Sequence, residues 1–528
     1  MPDILRATSR LETQTGPGLA ASRFVPSARG ALGGVATVAT IAAGLYALNS
    51  YLTSEPDMPV GQYEHRVTHD GFPAYTPAYS TGHTPAQTPK SPDPPGELKR
   101  QMSDGISWFK DLFGFVDHDS ETLESRQKKF EYDKITGTLA LASSPGKMWK
   151  AGHFTTPSLK ELREKSRQMR RELEAHAENG TTVTFASSDV AILHGKPEYA
   201  GAVFQADSKF NCLQPSASDR WPEQGVAIYA EDKKQGPACA ISCAPGTIVR
   251  SYFALAGNKG TGSKGKPSNK KKEAEKLFPQ SKETQVENLG DLITGLTEQA
   301  DGKFPIVSVS NGYARSNGKK LQKVNERIGK RGPRVPGVGQ SSAGREGLLG
   351  LMRVGVQQDT QVTCTKMAQG ENEPWYEVKS GADPLLVTQV DASALSMSDA
   401  VDSDTTREQW EPLARLILDA AYEATLHAAV IHAKQKRERK RVVLTALGSE
   451  SGNDMKWISD AIVRALKLFK NAGLDVVINV YRDQDLAEIK SAIVADAETS
   501  SLLLTAPHGF GRGVLTRRVA RPLLLYTE

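Results

Sequence analysis

The sequence predicts an α/β protein carried behind a membrane-spanning segment and a proline-rich linker. Three observations predict this. Arg439 to Tyr481 reads as strand, glycine loop, helix and strand; Ala31 to Leu52 carries no charge; and Pro73, Pro77, Pro85, Pro89, Pro92, Pro94 and Pro95 crowd together among Thr, Ser, Gly and Tyr. The first pattern belongs to a parallel α/β unit. The second is about the length that crosses a bilayer. The third buries too little apolar surface to fold.

Residues 1–30 form a polar N-terminal segment, with Arg6, Arg10, Arg23 and Arg29 against Asp3 and Glu12. Residues 31–52 follow as the transmembrane helix, with Tyr46 and Tyr51 where interfacial aromatics sit and the preceding arginines placing the N-terminus on the inner side. Three readings stay open here: a single-pass anchor, an anchor behind a cleaved presequence, and a soluble protein with an unusual mitochondrial transit peptide. Residues 53–97 are the linker, expected to be extended. Residues 98–133 hold a short amphipathic helix and a connector. Leu98, Met102, Ile106, Phe109 and Phe113 recur nearly four apart, so this helix is expected to pack on the folded body, with a membrane or partner surface as the alternative.

The body spans 134–528. Ile135 to Ala142 alternates like a strand. Ser158 and Glu161 stand at capping-box spacing and open a charged helix that runs to about Ala177. Val183–Ser187, Val190–His194 and Gly201–Ala206 read as strands. Residues 257–282 form a basic, glycine-led insertion, expected as a surface loop; almost no aromatics are interleaved, which argues against nucleic acid. Strands are expected at Ile306–Val309, within Gly350–Cys364 and at Leu385–Val390, with a basic helix at Lys319–Ile328. The longest helix is Thr405–Lys436, whose apolar stripe is Leu413, Leu416, Ile417, Ala420, Ala424 and Ala428. Val442–Leu447 is then a strand, Gly448 to Gly452 a loop, and Asn453 a cap for a helix bearing Ile458, Ile462, Ala465, Leu466 and Phe469. Gly473 stops that helix, and Leu474–Tyr481 forms a parallel neighbouring strand.

The net charge of +5 is too small to argue for a nucleic-acid partner. Cys212, Cys239, Cys243 and Cys364 form no Cys-x-x-Cys pair and have no paired histidines nearby, so the pattern points to reduced core thiols and to no metal site. No Walker motif, nucleophile elbow or spaced pair of catalytic carboxylates is visible, and no cofactor is expected. Three segments could meet at the C-terminal edge of one sheet, where such folds hold phosphate: Ala206 to Leu213, ending Phe210-Asn211-Cys212-Leu213; Gln235-Gly236-Pro237-Ala238-Cys239-Ala240-Ile241, followed by Pro245-Gly246-Thr247; and Gly448-Ser449-Glu450-Ser451-Gly452-Asn453. An asparagine at a strand end can read a ribose hydroxyl, and it can equally hold a turn. Glu450 and Asp454 are the acids nearest the loop, and Glu450 is read as facing solvent.

These segments, in this order, resemble a macro domain, and the stretch from about Thr181 to Tyr481 is similar to large macro-like proteins with long insertions. The resemblance implies a three-layer α/β fold with a central mixed sheet, and binding, with possible hydrolysis, of an ADP-ribose-type nucleotide. It carries Asn211 onto the ribose side, Gly236, Pro237 and Ala238 onto the first phosphate loop, and Gly448, Ser449, Gly452 and Asn453 onto the second. The chain departs from the pattern where a single glycine precedes Pro237 and where Ser449-Glu450-Ser451 replaces small apolar residues. The alternative reading is a non-catalytic accessory subunit of a membrane-associated assembly with a vestigial pocket.

Overall fold

Short apolar runs build the centre. The computed structural model describes residues 107–117, 121–176, 180–255, 276–298, 305–329, 344–366, 376–379, 383–436 and 440–503. Seven strands form one sheet: β1 (His153–Thr155), β2 (Thr182–Ala186), β3 (Val203–Ser208), β4 (Gly355–Gln361), β5 (Leu386–Ser393), β6 (Arg441–Leu444) and β7 (Asp475–Asn479), in the order β1-β4-β5-β3-β6-β7-β2. From β5 to β2 every pairing is parallel, while β4 and β1 add an antiparallel edge. The sheet is therefore mixed, and β6 and β7 are parallel neighbours as expected.

Parallel strands are covered on both faces, which is why they read as apolar runs without alternation. Val203 of β3, Val442 and Leu444 of β6, and Val476 and Ile478 of β7 face one core. That core includes α1 (Leu159–His176), α4 (Arg407–Lys436), α5 (Met455–Leu468) and α6 (Asp483–Ala495). The intervening residues Phe204, Ala206, Val443 and Val477 face a second core under α2 (Gln235–Ser242). α3 (Ala244–Tyr252) continues that second layer beside β4. The result is helix, sheet, helix.

The caps follow from local chemistry. The Ser158 N–H donates to Glu161 Oε2 at 2.7 Å and the Glu161 N–H to Ser158 Oγ at 3.2 Å, which is the expected capping box. α5 is capped by Asp454, whose Oδ1 accepts the Lys456 N–H at 2.8 Å. Asn453 does not cap it, because its amide is used to bind Leu395 O and Gly448 O. The stretch Val190–His194 is a helix, Val190–Gly195, and not a strand: Asp189 accepts the Ala191 N–H at 2.9 Å and starts a helical turn. The expected single strand over Ile135–Ala142 begins only at Thr138, after a turn, and pairs with Phe130–Asp133 and Ser144–Lys150.

Ser107–Phe113 is helical, with Trp108, Phe109, Leu112 and Phe113 buried in the second-layer core. Trp108 Nε1 donates to Ala227 O at 3.2 Å, and just beyond the helix Asp117 pairs with Arg126 at 2.6 Å, both side chains buried. This part of the amphipathic segment packs on the body, while Leu98, Met102 and Ile106 lie outside the described residues. The basic insertion is bounded more tightly than expected: Ala254–Leu255 pairs antiparallel with Leu277–Phe278, so residues 277–282 belong to the fold. The N-terminal segment, the transmembrane helix at 31–52, the linker and most of the insertion lie outside the described residues. Among the described residues no helix is long and apolar enough to cross a membrane.

Candidate functional site

Four strand ends and one helix start meet at the C-terminal edge of the parallel strands. The floor is Asp207 on β3. Its Oδ2 accepts the Gly448 N–H at 2.9 Å, which ties the loop after β6 to the end of β3. Gly448 has a left-handed backbone, and a Cβ there would stand 2.4 Å from Asn453 Nδ2 and 2.6 Å from Ala394 Cβ, so only glycine fits. Asn453 locks the same loop through Leu395 O at 2.6 Å and Gly448 O at 3.1 Å. Ser449–Ser451 forms a short 3-10 turn between Gly448 and a second left-handed glycine, Gly452.

Across from this loop α2 begins. Gly236, Pro237 and Ala238 are not a free loop; they lie buried in the first turn of that helix. A Cβ on Gly236 would stand 2.2 Å from Asp207 O, so the helix start rests directly on β3. Gln235 uses its Oε1 to accept the Val190 N–H at 2.8 Å, leaving its own backbone N–H at the open helix end. Opposite that helix start stands Glu450, exposed as a residue and lining the same cleft.

Asn211 lies three residues beyond β3 and does not line this cleft. Its Oδ1 accepts the Leu213 N–H at 3.1 Å, and its Nδ2 reaches Gln285 Oε1 at 3.2 Å and Asn311 Oδ1 at 3.4 Å. It holds the turn in which Cys212 takes a positive φ of 61°. Of the expected residues the structure thus brings Ser449 to the cleft, sets Gly236, Pro237 and Ala238 in the helix behind it, uses Gly448, Gly452 and Asn453 to shape the loop, and leaves Asn211 in a separate polar network.

The cleft is lined by Asp207, Gln235, Thr445, Ser449 and Glu450, with Tyr481 at its rim. It encloses about 20 Å³, room for a water and not for a nucleotide. Burial pushes the Asp207 carboxyl up, against the Lys209 charge and the Gly448 N–H. Burial, reinforced by the Asp207 charge, pushes Glu450 up to about 7, opposed by the Gln235 N–H and Lys234. Lys209 is pushed down by burial and held up by Asp207; its Nζ lies 5.0 Å from the centre of the Tyr313 ring. Asp207, Lys209 and Gln235 lie within the segments the sequence marks, yet no local pattern singles them out, and Tyr481 is marked only as the end of a strand. The available signal was Asp207, a lone acid inside the apolar run Val203-Phe204-Gln205-Ala206-Asp207.

The class defined by this fold and site is a three-layer α/β domain with a cleft at the C-terminal edge of a mixed sheet. No protein-family model matches the chain, and no curated protein matches it. Among solved structures the chain is similar to poly(ADP-ribose) glycohydrolase from Deinococcus radiodurans in complex with ADP-ribose, at 10% identity and a TM-score of 0.33, covering 64% of this chain and 94% of that one. It is also similar to poly(ADP-ribose) glycohydrolase from Thermomonospora curvata, at 10% identity and a TM-score of 0.30, covering 74% of this chain and 98% of that one. TM-scores near 0.3 are too low to transfer a ligand or a reaction.

Proposed function

We propose that the cleft between α2 and the Gly448–Gly452 loop binds an ADP-ribose-type nucleotide. The observation that supports this reading is the open start of α2 facing the glycine loop across one cleft, with the Gln235 N–H unpaired within the helix and Gly236 pressed onto β3. Helix starts of this kind present N–H groups to phosphate. Asp207 and Glu450 are the carboxylates of the cleft, and the proposal is of binding.

Calorimetric titration of ADP-ribose into the full-length chain tests it. The expected result is saturable binding, lost when Ser449→Trp fills the cleft while the melting temperature holds. No heat and no thermal shift at millimolar ADP-ribose, with Glu450 intact or truncated to alanine, overturns it. A specific observation favours a second reading: the Gly448 N–H already has Asp207, and Ser449, Ser451, Gly452 and Asn453 spend theirs on carbonyls of Ala446 to Ser449. On that reading the domain is a non-catalytic scaffold with a filled pocket, and the same null titration is its expected outcome.

A further inference from the structure

Independently of what the cleft binds, we infer that a second, enclosed site lies between α3 and the β4–β5 pair, and that its ligand is ordered water bridging Arg250, Asp391, Gln357, Gln389 and Thr360. All five residues are fully buried, each at 0% exposure. Residues of these types are mostly found at the surface of folded proteins. Here they gather under one helix.

Strand register brings the groups together. Gln357 stands opposite Gln389, and Gly355 opposite Asp391, so both glutamines and the aspartate point to one face of the sheet. α3 covers that face. A Cβ on its Gly246 would stand 2.7 Å from both Gln357 Cγ and Thr360 Oγ1. Arg250 follows one helical turn later, with Nη2 3.8 Å from Asp391 Oδ1, too far for a hydrogen bond. Gln357 spends its amide N–H on Ala151 O, and Gln389 spends its own on Cys239 O, both at 2.7 Å. Arg250 spends Nε on Cys212 O. Among the described residues Arg250 Nη1 and Nη2, both Asp391 oxygens, both glutamine Oε1 atoms and Thr360 Oγ1 are then left without a partner.

Buried polar atoms in native proteins are hydrogen-bonded, and where protein does not supply the partner, water or an ion does. The chemistry of this set chooses between those two. The Arg250 Nη groups can only donate, while the carboxylate and amide oxygens can only accept. Arg250 and Asp391 also cancel in charge. An anion would face the Asp391 and glutamine oxygens, and a metal cation would face the guanidinium. Water donates and accepts, carries no charge, and makes about three hydrogen bonds at buried positions. Thr360 can serve it in either sense, since a hydroxyl both donates and accepts.

Two measurements on the full-length chain test this. A high-resolution crystal structure should show solvent density within hydrogen-bond distance of an Arg250 Nη atom and of Asp391 or a glutamine Oε1. Soaks in bromide and in rubidium should give no anomalous signal there. Water relaxation dispersion, which detects long-lived internal waters, should lose amplitude when Gln357→Leu and Thr360→Val are combined. Direct hydrogen bonds from Arg250 Nη1 and Nη2 to Asp391, with no density beside them, overturn the inference. An anomalous peak from either ion overturns the choice of a neutral ligand. An unchanged dispersion amplitude in the folded double variant overturns the bridging role of these two side chains. The crystallographic readout uses the natural chain, so it decides even where the double variant does not fold.

Discussion

At the residue scale, the most consequential side chains outside the cleft are Arg250 and Asp391. Both are fully buried, and their charged atoms stand 3.8 Å apart. Arg250 Nε donates to Cys212 O at 3.1 Å and so steadies the left-handed turn after β3. Among the described residues Nη1 and Nη2 of Arg250 and both carboxylate oxygens of Asp391 lack hydrogen-bond partners, as do the nearby Gln357 Oε1 and Thr360 Oγ1. Burial pushes Asp391 up to about 6 against the pull of Arg250. Leaving one buried charge alone costs about 3–5 kcal/mol, whereas removing both can be nearly neutral. Arg250→Met is therefore expected to lose stability of that order in urea unfolding, and Arg250→Met with Asp391→Leu to regain most of it. Equal losses in the single and double variants would mean that the pair is not coupled.

At the element scale, the helices show what was legible and what was not. α4, α5 and the β6–β7 unit were readable because long periodic patterns and Gly473 mark them without ambiguity. Val190–His194 was not, because five mostly apolar residues satisfy strand and helix alike, and only the Asp189 cap decides between them. The cleft was half legible. Gly236, Gly448 and Ser449 could be placed by loop chemistry, but Asp207 meets Gly448 across 241 positions of sequence, which leaves no local pattern. Glu450 is exposed as read, and what the sequence hides is that it shares a cleft with Asp207.

Polar staples join helices too. Ser166 Oγ lies 2.6 Å from His427 Nδ1, and Glu423 lies 3.5 Å beyond His427 Nε2, an arrangement that resembles a catalytic relay. It links α1 to α4 instead, since Ser166 is fully buried and Glu423 is bound by Arg163 and Arg464. The Ser107–Phe113 helix is attached by packing. Phe109 touches Trp108, Phe113 and Phe115, with ring centres 4.8 to 5.5 Å apart. Phe109→Ala should cost about 3–5 kcal/mol. A loss below about 1 kcal/mol in chemical denaturation would mean that this helix docks without contributing to the core.

At the scale of the whole molecule, buried titrating groups set opposing pH slopes. His194 is fully buried, stacked on Phe204 at 3.9 Å and 2.8 Å from Val190 O. Burial pushes its pKa down to about 4 from 6.5. Between those values the unfolded chain holds more protons, so His194 makes stability rise with pH, by about 3 kcal/mol across the window. Glu450 acts oppositely. Its folded pKa, about 7, lies above the ordinary 4.5, so the folded chain holds the extra proton and stability falls as pH climbs through that range. Asp391, raised for the same reason, adds to the fall up to about pH 6. Glu450→Gln should therefore steepen the rise in stability between pH 5 and 6.5, measured by urea titrations at each pH. An unchanged slope would mean that Glu450 does not titrate in the cleft.

The pairing of Ala254–Leu255 with Leu277–Phe278 has a consequence for how this chain can vary. Its two strands clamp the departure and return of residues 256–275 side by side. Closing a loop between ends held this way carries an entropy that grows with the logarithm of length, about 0.6 kcal/mol per doubling. That stretch is a natural port where a lineage, or an engineer, can splice in a new module without renegotiating the fold.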